Sequence, residues 1–126
     1  MTTPAVSLGR YGRVDPGPSY GITTPFTTDD TLTSAQSGVV ANNNGASATV
    51  TLTAPAVPTL GDNYTLHRMS AYDYPLRFQP GAGHLVEGET VDKYVELQSA
   101  GVMMFEYTRT GVWTIVGYTC DWNPEP

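Results

Sequence analysis

ATVTLTAPAVPTLGDNYTLHRMS, Ala48 to Ser70, alternates polar and apolar residues, stops at prolines, turns, and alternates again. In its first half Thr49, Thr51 and Thr53 interleave with Val50 and Leu52, which puts the two apolar side chains on one face of a strand. Pro55 and Pro58 end that strand, because proline cannot donate to a ladder. Gly61-Asp62-Asn63 then turns the chain into a second strand, with Tyr64 and Leu66 inward and Thr65 and His67 outward. Asn63-Tyr64-Thr65 also spells a glycosylation sequon, but it fits the start of this strand better.

The same grammar extends both ways. Upstream, Val39–Asn42 makes a short strand, followed by a turn at Asn42–Gly45. Downstream, Leu76 and Phe78 form the next inward pair, closed by Gln79-Pro80-Gly81. A short Leu85-Val86 strand, the Glu87-Gly88-Glu89 turn and a Tyr94–Gln98 strand follow. Two last strands, Val102–Arg109 and Val112–Tyr118, pair across Thr110-Gly111, with Met103, Phe105, Tyr107, Trp113 and Ile115 inward. Seven or eight short strands about ten residues apart predict an all-β fold, a small antiparallel β-sandwich or barrel. The expected core is Val50, Leu52, Tyr64, Leu66, Leu76, Phe78, Phe105, Trp113 and Ile115.

Residues 1–31 differ from the rest. Four prolines and four glycines break any periodicity, yet Val6, Leu8, Tyr11, Val14, Tyr20, Ile22 and Phe26 are too apolar for a solvated linker. Such a segment orders itself on another surface, so the expectation is an extended N-terminal arm docked on a partner, with Arg10 and Arg13 available to acidic groups. A disordered leader, or a loop packed on its own domain, is the alternative. The expected organisation is therefore an arm over 1–31, a β module over 32–118 and a tail over 119–126. Thr27–Gly38 offers at most one helical turn.

Composition narrows the chemistry. Of 126 residues only 14% are charged, and the formal net charge is -6. The six basic residues are scattered, which argues against binding phosphate backbones, so no nucleic-acid partner is expected. No apolar run approaches the ~20 residues of a membrane helix, and the N-terminus lacks the apolar stretch of a secretory signal. One cysteine, Cys120, rules out an internal disulfide and every multi-cysteine metal site. His67 and His84 lie on an outer strand face and in a Gly-rich turn, so neither metal nor cofactor is expected. Glu87, Glu89 and Asp92 crowd one loop without the spacing of a calcium loop, and read as a solvated acidic turn. PGAG at 80–83 lacks the helix and lysine of a phosphate loop. Tyr72, Tyr74, Tyr94, Tyr107, Tyr118 and Trp122 suit a subunit interface, with a sugar-binding surface as the alternative. No catalytic constellation emerges, and the protein reads as a structural or binding module rather than an enzyme.

Three stretches, LTSAQSGVVANNNGASATVTL (Leu32–Leu52), LGDNYTLHR (Leu60–Arg68) and PLRFQPGAGHLVEG (Pro75–Gly88), followed by Trp113, resemble in order and spacing a β module of tailed-bacteriophage virion proteins. The resemblance covers about residues 30–117. It departs at Arg109-Thr110-Gly111, where an Asp-Gly turn is usual. The module is found in capsid decoration (cement) proteins and in tail fibres, spikes and other trimeric appendages. The resemblance thus implies a homotrimer located on the virion and made in the host cytoplasm. The small size of this chain favours a cement protein that sits on the major capsid protein, its arm reaching along the capsid. A small tail or fibre component, with a role in host carbohydrate binding, is the runner-up.

Overall fold

The computed structural model describes residues 23–71 and 73–126, and shows eleven strands, one 3₁₀ turn at Ser34–Gln36 and no α-helix among them. The strands are β1 (Thr23–Pro25), β2 (Asp30–Thr31), β3 (Val40–Asn42), β4 (Val50–Thr53), β5 (Asn63–Arg68), β6 (Leu76–Gln79), β7 (Leu85–Val86), β8 (Val95–Leu97), β9 (Gly101–Arg109), β10 (Val112–Tyr118) and β11 (Trp122–Pro124). They form two mixed sheets. The first has the order β1-β3-β5-β9-β10-β7 and the second β11-β8-β6-β4-β2.

The all-β class is as expected, but the wiring is not that of an antiparallel sandwich or barrel. From β1 to β6 the chain passes from one sheet to the other at every strand, and each strand lies parallel to the one two places earlier. The result is three stacked coils, β1–β2, β3–β4 and β5–β6, in the manner of a β-solenoid. Only afterwards does the pairing turn antiparallel, with β8 on β6, β9 on β5, β10 on β9 and β11 on β8, while β7 pairs parallel with β10. Alternation specifies which face a residue takes and is blind to the partner strand, so turns that look like hairpin loops here carry the chain across to the other sheet.

Buried polar groups hold the coils together at their corners. Asn43 Nδ2 donates to Tyr74 O at 2.6 Å, joining the second coil to the third, and Asn42 Oδ1 accepts from Asn44 N at 2.9 Å. At another bend Asp62 Oδ2 accepts from Ser34 Oγ at 2.7 Å and Thr59 N at 3.0 Å. Arg68 is buried at the end of β5, where Nη1 donates to Leu97 O and Nη2 to Asp73 O. Satisfying such groups is what allows them to stay buried.

The core lies between the sheets. Ala41, Leu66 and Met103 line up across β3, β5 and β9, while Val50, Leu76 and Leu97, then Leu52, Phe78 and Val95, line up across β4, β6 and β8. All of them are fully buried, as are Tyr64, Phe105 and Trp113. Phe78 stacks on Phe105 with centroids 4.1 Å apart and meets Trp113 edge-on at 5.2 Å. Ile115 is only half-buried and packs against the rim of the core, because a register shift between Ile115 and Gly117 bends the strand there.

Three further corrections concern the boundaries. Phe26, expected in the arm, is a core residue only 7% exposed, and its N–H continues the ladder by donating to Asn42 O. Residues 23–31, also expected in the arm, form the first coil. Residues 119–126, expected as a tail, supply β11. Gly101 shows why the chain end docks so closely, since a Cβ there would lie 2.8 Å from Cys120 Cβ and from Thr119 Oγ1. The remaining arm residues, Val6, Leu8, Arg10, Tyr11, Arg13, Val14, Tyr20 and Ile22, lie outside the described residues, as does Tyr72.

Trp113→Ala is expected to cost about 3 to 5 kcal/mol in urea unfolding, as for a large buried aromatic side chain whose cavity cannot collapse. Tyr64 provides a pH test. Burial, with Asp62 nearby, pushes its hydroxyl from the usual 10.0 up to about 12, and that hydroxyl donates to Thr33 O. The unfolded chain therefore ionises first, so stability is full below pH 10 and falls as pH rises from 10 toward 12. Tyr64→Phe should flatten that part of the curve.

Candidate functional site

Among the described residues the His, Cys and acidic side chains are dispersed or engaged in structural contacts. His67 lies in register with Val102 in the first sheet, whereas His84 packs against the Tyr107 ring at 5.7 Å. Among the described residues no three His, Cys, Asp or Glu side chains are grouped to hold a metal. The acidic loop is taken up by structural contacts. Glu87 accepts from Thr114 Oγ1 at 2.9 Å and faces Arg109 at 3.5 Å, and Asp92 adopts a left-handed conformation with φ 67° while its Oδ1 accepts from Gly83 N. Cys120 is buried, and that burial raises its thiol pKa above the ordinary value, the opposite of what a nucleophilic cysteine needs.

The five of the six grouped aromatic side chains that lie among the described residues divide among different environments. Tyr107 enters the core, where its hydroxyl accepts from Gly111 N and braces the β9–β10 turn. Tyr118 and Trp122 meet edge-on at 6.1 Å. Tyr74 stands exposed, and Tyr94 is half-buried on the second sheet beneath Arg77. They do not make one shared surface.

Two surface features remain. One is the loop from Pro55 to Gly61, which presents Val57 at 87% exposure between Pro55 and Pro58, and Leu60 at 62% exposure two residues after Pro58. The other is a groove beside β11, lined by Arg77, Tyr94, Glu96, Gln98, Asn123, Pro124 and Pro126. Sequence reading noted Tyr94 but not the groove. Its members lie on or beside β6, β8 and β11, and no local pattern brings those strands together.

No protein-family model matches the chain, and no curated protein matches it.

For Cys120 the expected outcome is slow alkylation by iodoacetamide at pH 8 in the native protein, at least about 10-fold slower than in urea. Equal rates would show an accessible, reactive thiol.

Proposed function

We propose that this chain is a structural component of a bacteriophage virion, a decoration protein that binds the outer capsid as a trimer and stabilises the head. The observation that carries the reading is the ordered resemblance of Leu32–Leu52, Leu60–Arg68, Pro75–Gly88 and Trp113 to the phage virion module. The first matched stretch runs from the end of β2 into β4, the second covers β5 and the third β6 and β7.

In this reading the function is mechanical. Each trimer bridges neighbouring capsid subunits, and three weak attachments on one body act together as avidity. Subunit contact uses a sheet face. The outer face of the first sheet carries Val40, Thr65 and Met104 in one row, all half-buried and uncharged. Attachment uses Tyr11, Tyr20 and Ile22 from the N-terminal segment together with the apolar loop at Val57 and Leu60.

The test is stoichiometry. In purified virions of the source phage, a decoration protein is present in a simple ratio to the major capsid protein, whereas a few copies per particle would place it in the tail. In the full chain, replacing Tyr11, Tyr20 and Ile22 by Ala should weaken decoration of empty heads while light scattering still reports a trimer. Undiminished binding would put attachment elsewhere, and a stable monomer at micromolar concentration would overturn the trimer.

A further inference from the structure

A row of polar side chains crosses the outer face of the second sheet, with Thr51, Arg77, Glu96 and Asn123 in register on β4, β6, β8 and β11. At the β11 end the row opens into a groove of about 420 Å³, within the size range of small-ligand sites. Its polar groups are already set. Arg77 Nε donates to Glu96 Oε1 at 2.7 Å, Gln98 Nε2 donates to Glu96 Oε2, and the Arg77 guanidinium lies 4.1 Å above the centre of the Tyr94 ring.

This lining selects a ligand class. The charges of Arg77 and Glu96 offset one another, so the groove has little to draw a phosphate or a cation. Its charged pair, its amides and its openness to solvent do not suit a lipid or another wholly apolar molecule. What it offers is two prolines and the uncovered part of an aromatic ring beside a guanidinium, a carboxylate and two amides, planar groups that donate and accept in pairs. A pyranose has the matching surface, with an apolar C–H face and adjacent hydroxyls around its rim.

We propose that this groove is a binding site for a neutral saccharide of one or two hexose rings. The sugar's C–H face lies against Pro124 and Pro126 beside the Tyr94 ring, one face of which Arg77 covers, and its hydroxyls meet Glu96, Gln98 and Asn123. The site stands independently of where on a virion the protein sits, since it is built from side chains of the folded body.

The experiment is an amide NMR titration of the full chain with glucose, galactose, mannose, lactose and maltose, and with inorganic phosphate and a proline-rich peptide as probes of other classes. The expected result is binding of at least one sugar with Kd on the order of millimolar, as suits an open groove, and shifts at residues 77, 94, 96, 98 and 123. Gln98 and Asn123 are exposed, so Gln98→Ala with Asn123→Ala should keep the melting temperature and weaken binding about 10-fold or more. The proposal fails if no sugar shifts the groove, if the double variant binds as tightly as the parent, or if the groove takes only phosphate or only the peptide.

Discussion

Phe78 is the one aromatic side chain that the second sheet contributes to the buried aromatic group, and it inserts among four rings from the first. Phe105 lies flat against it and Trp113 meets its face edge-on, while Tyr64 and Tyr107 pack on the other sides of the indole at 5.7 and 5.1 Å. Because stacked and edge-on pairs have preferred separations, this contact fixes both the spacing of the sheets and their lateral register. Coil corners, the buried Arg68 and the docking of β11 all presuppose that spacing.

How much of this was legible in the sequence depends on what kind of information each feature needs. Inward positions such as Val50, Leu52, Tyr64, Leu66, Leu76 and Phe78 follow from period-two alternation, which is local. Pairing partners are not local. Val50 sits beside Leu76, and Thr23 beside Val40, because the chain visits the facing sheet in between, and nothing in either strand encodes that excursion. Phe26 was misplaced for a related reason: it lies in a stretch dense with proline and glycine, and its burial depends on β1 finding β3. The groove on the second sheet was out of reach because β6, β8 and β11 meet only through tertiary pairing.

The sheet edges alter the argument for association. A small β domain with long bare edges is driven to pair through them, but here the outer strands are short and chemically blunted. β1 ends in Pro25, β2 and β7 have two residues each, and β11 contains Pro124. Just before β2, Asp29 Oδ1 accepts from Thr51 N at 2.8 Å, so a side chain pairs a β4 donor that lies outside the two-residue register of β2. Copies of this chain therefore have little reason to extend one another's sheets into open filaments, and contact through a face is compatible with a closed ring.

The coil wiring also sets the order in which the chain can be finished as it leaves the ribosome. Each strand from β3 to β6 pairs with one made earlier, so three coils can be laid down in sequence, without waiting for later residues. Phe78 emerges at the end of that series, before either Phe105 or Trp113 has been synthesised. Until then the nascent coils form an open trough with one apolar wall exposed, and only the β9–β10 hairpin, arriving last but for β11, closes it. Translation of the final third is thus the interval in which this protein is most exposed to aggregation, and the stage at which a chaperone would have something to hold.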